Sequence, residues 1–90
     1  MSDAHDARKF LVRLEILKAL NRASGYALRE NILHRDLNLF VQPAVLLSEF
    51  RGELTELEEH GLLSMIAGSL GAPRNIRLTD NGRAEVAANL

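Results

Sequence analysis

Residues 43–86 decide the fold: PAVLLSEFRGELTELEEHGLL (43–63), SMIAGSLGAPRN (64–75) and IRLTDNGRAEV (76–86). In the first segment Leu46, Leu47, Phe50, Leu54 and Leu57 recur at helical spacing within an arc of roughly 100°, so one face is expected to be core. Pro43 suits the first turn, where its missing N–H has no intrahelical partner. Gly61 suits the position just past the end, where a left-handed backbone meets no Cβ strain. A helix is therefore predicted from about Pro43 to His60. Beyond it Leu62, Leu63, Met65 and Ile66 form a short apolar run, and Ile76 and Leu78 alternate with Arg77 as in a half-buried strand. GSLGAPR between them holds too much Gly and Pro to continue either, which predicts a β-hairpin with a loose tip. Thr79 offers a side-chain oxygen to the free amides of a last helix, predicted from about Asp80 to Asn89.

Upstream, the small polar residues 1–7 (MSDAHDA) are expected to be a flexible lead to a single domain covering 8–90. A first helix is predicted from about Arg8 to Ala23. Phe10, Leu14 and Leu17 share one side of it, and Val12, Ile16, Ala19 and Leu20 widen the apolar arc beyond half the circumference. So broad a face needs several neighbours, either as the central helix of a bundle or with its outer edge, together with the C-terminal helix, in a homodimer. Ser24-Gly25 ends this helix and can cap a second, from Tyr26 to about Leu37, with Leu28, Ile32, Leu33 and Leu37 on one face. Leu39, Phe40 and Val41 are too apolar for a free connection and are expected to plug the base of the core.

The order is helix, helix, helix, hairpin, helix. That makes the predicted fold class mainly α (α+β): a winged helix-turn-helix, with the hairpin as its wing and the second and third helices as the helix-turn-helix. LEEHGLL followed, after a Gly-rich turn, by IRLTDNGRAEV resembles a widespread bacterial winged-helix pattern. RLEILKALNRASGYALRENIL extends the likeness to small ArsR-like winged-helix proteins encoded by Mu-like phages and prophages, over roughly residues 11–87. The resemblance implies a phage-derived DNA-binding or regulatory module, without the cysteine metal site of the ArsR sensors.

Composition narrows the function classes. A 90-residue chain buries only about two-thirds of the surface its unfolded form exposes, and so gains from a partner. Cysteine is absent, which excludes disulfides and thiolate metal sites. No stretch has signal-peptide or membrane-span character, so the cytoplasm is the expected location. Nothing points to a cofactor, a metal or a small-molecule effector. His5, His34 and His60 lie on separate segments without metal-ligand spacing and read as surface or helix-end residues, and GSLGAPR lacks the lysine of a phosphate-binding loop. No catalytic constellation is visible, so the chain is not expected to be an enzyme.

The net charge of −1 is uneven. Lys/Arg against Asp/Glu stand at seven to five in residues 1–42, one to five in 43–60 and three to two in 61–90. If the third helix enters a major groove, Gln42, Ser48, Arg51 and Thr55 are the donors near its start. Arg74, Asn75 and Arg77 on the wing, and Arg35 on the second helix, are the candidates for DNA backbone, with Arg29 and Arg83 as further cations. Glu49, Glu53 and Glu56, expected around the solvent face, would each oppose phosphate. They motivate an alternative, a protein-interaction module that docks a basic partner on this acidic face without binding DNA.

Overall fold

Val12, Ile16, Ala19 and Leu20 recur every three or four residues and are all buried, which makes α1 (Asp3–Arg22) the axis of the molecule. The computed structural model describes residues 3–23 and 25–89. Ser24, expected to end this helix, lies outside the described residues, as do Met1 and Ser2 of the lead. The helix starts at Asp3 rather than near Arg8. It packs against all the other helices and the sheet, so its broad apolar arc is largely absorbed within the chain, although Phe10 stays exposed.

The second element is not the helix expected from Tyr26. Leu28–Arg29 is a short strand, β1, and α2 occupies only Glu30–Leu37. β1 pairs antiparallel with β3 (Asn75–Leu78), Leu28 opposite Ile76 and Arg29 opposite Asn75. The Glu30 N–H then donates to the Arg74 carbonyl at 2.8 Å. Leu28 fits a helical stripe with Ile32 and a strand alternation equally well; a partner strand far along the chain decides between them. β3 also pairs with β2 (Leu63–Ile66), giving an antiparallel sheet of order β1-β3-β2. Leu63, Ile76 and Leu78 face the core, while Ser64, Ile66, Asn75 and Arg77 face out with Arg29.

The largest correction concerns the third helix. α3 covers Leu47–Glu59, and Pro43 lies before it, after a cis peptide bond from Gln42. The reason lies in where the backbone of residues 43–45 makes its hydrogen bonds. The Val45 N–H donates to Asn38 Oδ1 at 2.7 Å, and the Val45 carbonyl accepts from His34 Nε2 at 2.6 Å and Asn38 Nδ2 at 3.3 Å. Arg8 of α1 donates to the Pro43 carbonyl at 2.8 Å. These partners hold the segment outside the helix. Val45 therefore takes the core position, while Leu46 is 70% exposed. In the preceding connection Val41 does plug the core. Leu39 and Phe40 do not, and Arg22 lies 4.7 Å from the centroid of the Phe40 ring.

The far end of α3 follows the sequence closely. Gly61 has φ +74°. Thr79 caps α4 (Asp80–Ala88) by accepting the Gly82 N–H at 3.0 Å, and its hydroxyl donates to the Gly61 carbonyl at 2.7 Å. One threonine thus joins the end of α3 to the start of α4. Among the described residues no helix is long and apolar enough to cross a membrane.

Candidate functional site

The faces of α3 separate by residue type. Phe50, Leu54 and Leu57 form the buried row. Glu49, Glu53 and Glu56 form a second row at helical spacing, and it does not look into open solvent as the sequence suggested. Arg8 meets Glu49 at 3.0 Å, Arg13 meets Glu53 at 2.5 Å and Glu56 at 3.0 Å, and Lys9 meets Glu56 at 3.3 Å. The acidic row of α3 is matched by a basic row on α1. Beside this paired row, Leu47, Ser48, Arg51, Gly52 and Thr55 are exposed along α3, and Glu56 stays partly exposed within its ion pairs.

This face borders an open groove of about 780 Å³ between α2, α3 and the β2–β3 loop. Asn31 and His34 line it from α2, Leu47, Arg51 and Thr55 from α3, and Pro73 and Arg74 from the hairpin loop. Its floor is held by Glu30, which is buried. The Glu30 carboxylate accepts from Arg51 Nε at 2.8 Å and from Arg74 Nε and Nη2 at 3.2 and 3.0 Å. A single buried carboxylate therefore links α2, the exposed face of α3 and the hairpin. Two arginines against one glutamate leave this cluster one positive charge in excess.

Of the residues proposed from sequence, Arg51, Thr55 and Arg74 converge on the groove, although the two arginines are partly committed to Glu30. Thr55 donates to the Arg51 carbonyl of its own helix at 3.0 Å. Ser48 is exposed in the first turn, and Gln42 is exposed in the connection, outside the groove lining. Arg35 lies one helical turn beyond Asn31 on α2, and Asn75 and Arg77 stand on the outer face of the sheet. Among the described residues Arg29, Arg35 and Arg77 enter no ion pair. Arg83 pairs with Asp80 within its own helix. His34 is stacked on Phe50 with ring centroids 4.8 Å apart and works as a structural donor to Val45. No group of three or more His, Asp or Glu suited to a metal occurs among the described residues.

Glu30 was not foreseen. Its spacing to Leu33 and Leu37 puts it on the buried stripe of α2, and a carboxylate in an apolar row is the feature that could have disclosed it. Arg74, and secondarily Arg51, hold its carboxyl below the usual carboxylate range against the upward pull of burial. Arg8 does the same for Glu49, and Arg13 with Lys9 for Glu56. A carboxylate with a lowered native pKa contributes stability above its unfolded value, about 4.3, and loses it as pH falls through the native value. Urea midpoints are accordingly expected to be level from neutral pH to about 5 and to drop below about 4.3. The gap between the native chain and Glu30→Gln should close over the same acid range, because a protonated Glu30 has the charge of glutamine. A gap that persists unchanged to pH 3 would show that the Glu30 charge is not what stabilises the fold.

No protein-family model matches the chain, and no curated protein sequence is significantly similar to it.

Proposed function

We propose that this chain is a winged helix-turn-helix module that binds duplex DNA, with α2 and α3 as the helix-turn-helix and β2–β3 as the wing. The order of helices and strands is compatible with this reading, as is the groove between α3 and the hairpin. The observation that carries it is the pairing of Glu49, Glu53 and Glu56 with Arg8, Lys9 and Arg13. That pairing neutralises the acidic row at the edge of the approach to DNA. It leaves Ser48, Arg51, Gly52 and Thr55 to face a major groove, with Arg35 and Arg77 available to phosphates. Gly52 adds no side chain at the middle of that face, so the helix backbone can approach closely. An incoming basic partner would have to displace three cations of the chain's own α1, which makes the acidic docking surface the weaker reading.

Fluorescence anisotropy with random-sequence duplex tests the proposal. Binding is expected at about 50 mM salt and should weaken steeply by about 200 mM, since phosphate contacts release counterions. Arg35→Ala with Arg77→Ala should weaken binding and lower the slope of log affinity against log salt by about 1 for each phosphate contact removed. Absence of binding at micromolar protein in low salt would sink the reading.

A further inference from the structure

The hairpin loop carries a residue that the fold itself does not use. Leu70 is completely exposed and has φ 54° and ψ 39°, the left-handed conformation that a leucine rarely adopts. Gly71 follows with φ +80°, and the Ala72 N–H donates to the Ser69 carbonyl at 3.0 Å. Positive φ at both central residues makes this a turn of the I′ kind, whose first central position is ordinarily Asn, Asp or Gly. Leucine here is strained in its backbone and buries none of its side chain. Neither cost is offset within the chain, and strain of this kind is the kind that functional sites retain.

The backbone of the tip is also tightly folded. The chain doubles back so tightly that a Cβ on Gly68 would lie 2.3 Å from the Ala72 carbonyl oxygen. Ser69, Gly71, Ala72 and Pro73 around the leucine are small, so the tip is narrow, with one large apolar group at its apex. The base of the loop is fixed by Arg74, which Glu30 grips beside Arg51 of α3. Pro73 and Arg74 lie on the rim of the groove that α3 borders. A broad apolar patch would suit a protein partner; a single slender wedge beside cations suits a groove about 6 Å wide.

We infer that Leu70 is a minor-groove wedge, which the wing inserts between two base pairs while α3 occupies the neighbouring major groove. This inference rests on the DNA-binding reading. Wedges of this type part a base step and kink the duplex, and pyrimidine–purine steps such as TA yield most readily. The chemical preference is thus for A·T-rich duplex with a deformable step under the hairpin, read by shape and not by hydrogen bonds.

The test uses a duplex of about 20 base pairs, long enough for one domain with flanks, with 2-aminopurine at a central TA step. The intact chain is compared with Leu70→Asn and Leu70→Gly, which suit the left-handed turn and lack the wedge. Both variants should melt no lower than the native chain, which separates loss of the wedge from loss of folding. The native chain is expected to raise 2-aminopurine fluorescence on binding as the step unstacks. The variants should bind about fivefold more weakly, as the burial of the leucine is lost, and leave the fluorescence at its free-duplex level. Equal affinity with equal fluorescence change in all three would overturn the wedge while leaving DNA binding intact. Failure of the native chain to bind this duplex at low salt would overturn both the wedge and the reading beneath it.

Discussion

Phe50→Ala is expected to destabilise the protein by about 3–5 kcal/mol, a large part of the roughly 5–15 kcal/mol that holds a domain folded. Phe50 is fully buried in the row that faces the core and stacks on His34. His34 in turn donates to the Val45 carbonyl, so the phenyl ring supports both the core and the segment that sets where α3 begins. Urea unfolding followed by circular dichroism measures the loss. The informative comparison is Leu46→Ala. Leu46 shares the helical spacing of Phe50, Leu54 and Leu57 but lies outside α3 and is mostly exposed, so its loss should fall within about 0.5 kcal/mol. A cost for Leu46→Ala near that of Phe50→Ala would mean that the helix starts at Pro43 and that Leu46 is core.

That comparison also marks where the sequence was legible. Local rules decided correctly where a cap, a helix end or a single turn set the outcome. Thr79 caps the helix that follows it by taking an amide three residues on, Gly61 ends one two residues back, and the β2–β3 strands face each other across one loop. Prediction failed where a strand or side chain of another element decided, at whatever distance along the chain. Leu28 became strand because Ile76 lies opposite it, and residues 43–45 stayed outside the helix because Asn38, His34 and Arg8 take their polar groups. Neither set of partners can be found by reading the local pattern, since periodicity reports the face of an element and not its neighbour.

The site was legible in part for the same reason. Arg51, Thr55 and Arg74 could be placed on the third helix and the wing from spacing alone, and the groove unites them. The fate of Glu49, Glu53 and Glu56 could not. Their spacing shows only that they share a row. That Arg8, Lys9 and Arg13 supply a complementary row on α1 depends on how two helices cross. Glu30 escaped notice because a buried carboxylate between two arginines resembles, in sequence, a glutamate in the first turn of a surface helix.

The charge arrangement makes the second large effect a change made away from the proposed DNA-facing residues. Arg8→Gln, Lys9→Gln and Arg13→Gln together leave Glu49, Glu53 and Glu56 without partners beside the DNA-facing side of α3. In water a unit charge and a phosphate about 10 Å apart interact by roughly 0.4 kcal/mol, and a Debye length of about 10 Å lets each side chain act on one or two phosphates. Three lost cations then amount to about 2 kcal/mol, or roughly thirtyfold weaker DNA binding at low salt. The deficit should shrink as salt rises, because the charges act through solvent and not by contact. Glu49→Gln, Glu53→Gln and Glu56→Gln should do the reverse and tighten DNA binding, since the freed α1 cations then face the phosphates unopposed. A docking surface for a basic protein predicts the opposite order, with the glutamine variants losing their partner and the α1 variants binding it more tightly. Titrating both triple variants against duplex at two salt concentrations, with melting curves to show that each is folded, therefore separates the two readings by the sign of the change. DNA affinity unaltered in both variants would mean that this row of ion pairs has no part in DNA binding.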